Sequence, residues 1–129
     1  MKRNTALILA LGILASTTVF LAGCKQNEDE TMTVTECMTE FRDDVNSLKW
    51  SDLKDLTHSG ATQYNTMDAS DWSGEFSTVK NFTLTSTPGT TTTATCNSDT
   101  YTFTLAEDGS DNWKVRRITR ASDGGTVFN

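Results

Sequence analysis

Tyr64, Tyr101, His58 and the acidic pair Asp68 and Asp71 are the side chains whose types suit proton transfer. Removing a proton beside a carbonyl needs a base and a donor to the developing oxyanion, roles that carboxylate, imidazole and phenol can fill. Nothing in their spacing brings them together. The simpler assignments make Tyr101 a strand core residue, His58 a helix-terminal charge partner, and Asp68 with Asp71 a loop or cap. The chain has no Gly-x-Ser-x-Gly elbow, phosphate loop, His-Glu-x-x-His, EF-hand spacing or Cys-x-x-Cys pair, so hydrolase, nucleotide and metal chemistry find no support. The expectation is a chain with no catalytic residue, no metal and no cofactor.

Lys114, Arg116, Arg117 and Arg120 form the one basic cluster. Period two from Trp113 and Val115 turns Lys114 and Arg116 outward, while Arg117 followed by Ile118 predicts a bulge or register change. Lys114, Arg116 and Arg120 then read as a partner surface, against the alternative of an edge strand guarded from aggregation by its charge.

The elements that position these residues emerge from periodicity. Val34, Cys37, Met38, Phe41, Val45 and Leu48 recur at three- and four-residue steps, and Thr33 with Glu36 makes a capping-box pattern, so a helix is predicted over 34–48. A shorter helix comes next, with Ser51 as cap, Leu53 and Leu56 as its apolar edge and Gly60 at its close. A third turn or helix spans 61–67. From Glu75 the period becomes two: Phe82 and Leu84, Ala94 and Cys96, Tyr101 to Leu105, and a last strand over 112–119, with turns at Pro88-Gly89, 97–99 and Asp108-Gly109.

The expected fold class is therefore α+β, two N-terminal helices packed on the apolar face of a four-stranded antiparallel meander. The opposite face is rich in threonine, a solvated surface of high strand propensity or a flat interface for a second copy or another protein. Trp50 and Trp72 plug the ends of the core or rim a site.

At 129 residues the chain is bounded to one small domain plus its termini. Its 11 basic side chains against 17 acidic, with a pI near 4.6, argue against nucleic acid, which requires clustered cations for its phosphates. Its 24 threonines favour sheet over an all-helical bundle.

Lys2 and Arg3 followed by the uncharged, largely apolar run 6–21 read as a secretory signal. It ends in Leu21-Ala22-Gly23-Cys24, which resembles the bacterial lipobox position for position. The resemblance implies that Cys24 is lipidated and becomes the mature N-terminus. It also implies a membrane partner through the lipid and, from Lys25 at the next position, an outer-membrane destination in a bacterial envelope. Two or three acyl chains make a stable anchor where one alone binds reversibly. Residues 1–23 are then the signal and 24–32 the acylated cysteine with a disordered tether. Residues 33–121 are the domain and 122–129 a C-terminal tail. Loss of 1–23 leaves 9 basic and 17 acidic side chains, an acidity that suits solubility better than adhesion to anionic lipid.

With Cys24 committed to lipid, Cys37 and Cys96 form an even pair in an oxidising space, and a disulfide is the expected state. A metal site or a reactive thiol is the rival; His58, the only histidine, lies 21 residues from Cys37. Both cysteines fall on apolar registers, so the bond would staple helix to sheet.

The segment from Phe41 to Leu56 looks like the opening helices of nuclear-transport-factor-2-like (SnoaL-like) domains, and Asp108-Gly109 through Asn112-Trp113-Lys114-Val115 resembles their last hairpin. The resemblance covers roughly 33–120. It implies a cone-like fold, cystatin- or nuclear-transport-factor-2-like, with a cavity between helices and sheet. This chain departs from that pattern in having little sequence between the helices and the first long strand.

Two functional classes remain. The first is a lipid-anchored, non-catalytic envelope module that binds another envelope protein or itself. The second is a small-molecule-binding or enzymatic cone, with Tyr64, Trp72 and Tyr101 on the wall of an apolar pocket.

Overall fold

The computed structural model describes residues 31–77 and 81–129; the expected signal, Cys24 and most of the tether lie outside them. Helix α1 spans Val34–Asn46, a 3₁₀ helix Asp52–Leu56, and helix α2 Ala69–Phe76. After them come strands β1 Thr83–Leu84, β2 Thr91–Cys96, β3 Asp99–Glu107, β4 Trp113–Arg120 and β5 Thr126–Phe128. Each strand pairs antiparallel with its chain neighbour, in the order β1-β2-β3-β4-β5.

The α+β class and the antiparallel meander are as expected, but the sheet has five strands instead of four. The fifth lies in the segment read as a tail. Gly124 turns the chain at φ +66, Arg120 N–H donates to the Gly125 carbonyl at 2.9 Å, and Phe128 is fully buried. A three-residue strand carries too short a pattern to separate it from a loop.

Helix α1 begins as its capping residues dictate. Glu36 N–H donates to Thr33 Oγ1 at 3.2 Å, and Thr33 N–H donates to the Glu36 carboxylate at 2.8 Å. It ends two residues before the expected Leu48, which has φ +60, outside helical space. The second expected helix is the 3₁₀ segment, with Leu53 and Leu56 buried. Residues 61–66 form bends and turns, and the real second α-helix, α2, starts after them. At the other boundary Met32 already belongs to the fold, since Trp113 N–H donates to its carbonyl at 2.7 Å.

The core is aromatic. Phe41 of α1 touches Phe103 of β3 (ring centroids 5.1 Å apart), Phe76 and Phe82 (both 5.8 Å) and Trp72 (5.9 Å), most of them edge to face. These rings occupy the space between helices and sheet in which a cone of the expected kind keeps its cavity. Such pairs add about 0.5–1.5 kcal/mol each beyond the area they bury.

Cys37 and Cys96 are both buried and both free, which corrects the expected disulfide. Cys37 Sγ–H points at the Leu56 carbonyl, 3.7 Å away, near the start of α1. Cys96 Sγ lies 3.2 Å from both the Phe76 carbonyl oxygen and Asn81 Oδ1, beside Phe82, whose backbone is held by Asn46 at the end of α1. Nine residues of helix set Cys37 about 13 Å from Asn46, well beyond the reach of one disulfide. The apolar registers were read correctly, but they bury the thiols at different ends of the layer.

The outer face carries a rank of threonines across the sheet. Thr93 is opposite Thr102, Thr102 opposite Thr119, and Thr119 opposite Thr126, while Thr85 Oγ1 bonds Thr93 Oγ1 at 2.9 Å. The predicted irregularity is present: Thr104 pairs with Arg117 and Leu105 with Val115, so Arg116 is the extra residue of a bulge.

Candidate functional site

Helix α2 is set by its first turn. Asp68 Oδ1 accepts from Ser70 N–H at 2.8 Å and Asp71 N–H at 3.2 Å, and the Asp71 carboxylate accepts from Asp68 N–H at 2.9 Å. The acidic pair weighed for catalysis is thus a helix cap, and these bonds, led by that with the Ser70 hydroxyl, hold the Asp68 carboxyl below its usual range. Trp72 and Phe76, one turn apart, go into the core.

Glu75, next to Phe76, meets the end of the sheet. Its Oε1 accepts from the Tyr101 hydroxyl at 2.9 Å and from Arg120 Nη1 at 2.8 Å; its Oε2 lies 3.1 Å from the same Nη1. Arg120 also pairs with Asp123, which accepts from Gly125 N–H at 2.8 Å. One cluster therefore joins α2, β3, β4 and the β4–β5 turn. Glu75 is 17% exposed and Arg120 30%, while Asp123 stands at the open edge of the cluster at 51%.

Burial pushes the Tyr101 phenol up, reinforced by its bond to Glu75, so it remains a proton donor. Hydrogen bonding to Arg120 and then to Gly125 N–H pulls Asp123 down to about 2. Both Glu75 oxygens are occupied by donors, so the side chain is committed to its neighbours. Glu75 also borders an open groove of about 480 Å³, lined by Gln63, Thr66, Met67, Ser70, Asp71, Gly74 and Val127.

Two of the three residues expected at a common pocket wall are packed inward. Trp72 and Tyr101 are each 2% exposed: Trp72 stacks on Phe76 at 6.1 Å between centroids, and Tyr101 packs on Phe76 at 5.1 Å. Tyr64 is partly buried against the core, with the Lys54 ammonium 4.9 Å from its ring centroid. The strand and helix registers turn Trp72 and Tyr101 into the packed layer. A smaller groove of about 260 Å³ runs beside Trp50, Met67 and Trp72.

The expected basic surface separates in the same way. Lys114 Nζ donates to the Asp55 carbonyl at 2.7 Å, Arg120 is held by Glu75 and Asp123, and Arg116 has Nη1 buried without a hydrogen-bond partner among the described residues. The bulge breaks the alternation on which a single cationic row depended. Arg117 is the exposed member, opposite Thr104 on the outer face.

Glu75 was missed by sequence reasoning. The local signal was available in the Asp68-x-x-Asp71 box followed by Trp72 and Phe76, but its partners lie 26 and 45 residues away, beyond what periodicity reports. Among the described residues no group of three or more His, Cys, Asp or Glu side chains is placed to hold a metal ion, and no helix is long and apolar enough to cross a membrane. The chain matches no protein-family model, no curated protein and no solved structure.

Proposed function

We propose that the chain is a lipid-anchored protein of the bacterial envelope, tethered through Cys24 to the outer membrane, whose α+β domain is a non-catalytic binding or assembly module. The observation that carries the anchor is the sequence Leu21-Ala22-Gly23-Cys24 after a basic and then apolar segment. In support of a non-catalytic role, the Tyr101 phenol weighed for chemistry is bonded to Glu75, which Arg120 also holds. A cone-like, cystatin- or nuclear-transport-factor-2-like arrangement is consistent with the order of elements, its interior filled by Phe41, Phe76, Phe82 and Phe103.

The contact surface in this reading is the outer sheet face. Its threonine rank bears hydroxyl and methyl groups and no carboxylate, in a strongly acidic chain, with exposed Arg117 beside Thr104, and interfaces are depleted in Asp and Glu but enriched in Arg. The partner is a second envelope protein or another copy of the chain.

Two measurements test the parts separately. Cys24→Ser should abolish incorporation of labelled fatty acid and release the protein from the membrane fraction; retention of both would remove the anchor. A photo-crosslinking residue at Thr91 or Thr104, both exposed on the outer face, should give a discrete adduct in intact cells, while one at exposed Thr35 on α1 should not. Equal capture from both positions would remove the sheet face as the contact surface.

A further inference from the structure

The only histidine of the chain fastens the segment after the 3₁₀ helix to the end of β3. Gly60 N–H donates to His58 Nδ1 at 2.9 Å, so that nitrogen carries a lone pair. His58 Nε2 lies 3.0 Å from the Glu107 carbonyl oxygen, which can only accept, so Nε2 carries the hydrogen. The two contacts together define the neutral Nε2–H tautomer. The fit is close, since a Cβ on Gly60 would stand 3.0 Å from His58 Cε1 and 3.1 Å from Nδ1.

We propose that His58 is a pH-responsive latch: protonation of Nδ1 replaces its lone pair with an N–H, sets it against the Gly60 N–H, and frees the turn at 58–60 from the ring. Two N–H groups cannot share one hydrogen bond, so the Gly60 amide turns to water once the imidazolium forms. Imidazole is the side chain whose ordinary titration falls between about pH 5 and 8.

The charged group that faces the ring is Asp108 in the β3–β4 turn, which Lys114 on β4 also faces; Glu107 presents its carbonyl. Burial raises the Asp108 carboxyl, but bonds from Ser59 N–H and Oγ–H, both 2.7 Å, together with the charges of His58 and Lys114, outweigh it and leave the group below its usual range. Asp108 therefore stays anionic while imidazole titrates, and Ser59 remains fixed. His58 N–H also stays bonded to the Val115 carbonyl at 2.9 Å. The change is confined to Gly60 and the residues just after it. Three residues on, Gln63 donates its N–H to the Asn129 carbonyl at 3.1 Å, a bond that does not involve the ring and that bounds the change on the side of the groove. The inference does not depend on the lipid anchor.

The test is a pH titration by NMR of the ¹⁵N-labelled full chain in detergent, in which the single histidine gives one set of ring resonances. At about pH 8 the ring should be the Nε2–H tautomer. As it protonates, the Gly60 amide should shift with the same midpoint and lose about tenfold of its protection from exchange, the equivalent of one hydrogen bond, while the Ser59 amide stays protected. His58→Asn should abolish the Gly60 response. An Nδ1–H tautomer at high pH, a Gly60 amide indifferent to ring protonation, or a response that persists in His58→Asn would overturn the latch. The titration of the unaltered chain decides the matter alone if that variant does not fold.

Discussion

Asn46 and Phe82 exchange two hydrogen bonds: Asn46 Nδ2 donates to the Phe82 carbonyl at 2.8 Å, and Phe82 N–H donates to Asn46 Oδ1 at 3.0 Å. The last residue of α1 thus stands in for a neighbouring strand just before β1. Asn46→Ala leaves both backbone groups of a buried residue unpaired and should cost about 2 kcal/mol. Urea unfolding with an unchanged m-value is the check. A loss under about 0.5 kcal/mol would mean that water reaches both groups.

Phe41 is the hub of the aromatic core, in contact with four other rings. Phe41→Ala should destabilise by about 3–5 kcal/mol, and Phe41→Leu by markedly less because it keeps most of the volume. Thermal unfolding of both variants tests this. Similar small losses from both would show that the rings do not form one packed unit.

The cysteines of the domain should behave as inert thiols. Burial pushes Cys37 up to about 12, with the Lys114 charge acting against it, and burial followed by the Glu75 charge raises Cys96. A thiol reagent at about pH 8 should label neither in the folded protein and both after denaturation without reductant. A mass two hydrogens short, with no labelling, would restore the bridge.

Gly74 lies inside α2, and a Cβ built there meets nothing within 4 Å. Gly74→Ala should therefore stabilise the domain by about 0.5–1 kcal/mol through helix propensity alone. A destabilised variant would reveal that the groove floor is in closer contact with its surroundings than the fold shows.

Asp123 sets an acid limb of stability. Its carboxyl drops from an ordinary 3.8 to about 2 in the folded chain, so the folded state binds this proton less readily than the unfolded one. The contribution is complete above pH 3.8 and lost as pH falls toward about 2. Asp123→Asn should flatten the stability profile in that window and leave its shape near neutrality unchanged. An identical acid slope in the variant would assign it to other carboxyls. Asp44, raised by burial against the pull of Lys49, works in the opposite sense.

Features that repeat locally were legible in the sequence. The Thr33–Glu36 box located the start of α1, alternation located β2, β3 and β4, and the Arg117-Ile118 step located the bulge. Helix α2 escaped because its eight residues include Gly74 and four polar side chains beside a single apolar edge of Trp72 and Phe76, too short a stretch for a helical period to declare itself. The Glu75 cluster and the separation of Cys37 from Cys96 are tertiary facts. Each depends on which end of α1 meets which end of the sheet, and a register says only which face a residue occupies.

The neighbour-only order of the strands has a kinetic consequence. Every strand pair is closed by a short local connection, so the sheet can zip hairpin by hairpin without first closing a long loop. Hairpins of this kind form in about 1–10 μs. The slow step is then the docking of α1, whose Asn46 must find Phe82, 36 residues along the chain. Refolding should reach its rate limit with the meander assembled and the helix layer still to seat, so changes at Asn46 and Phe41 should act chiefly on the unfolding rate.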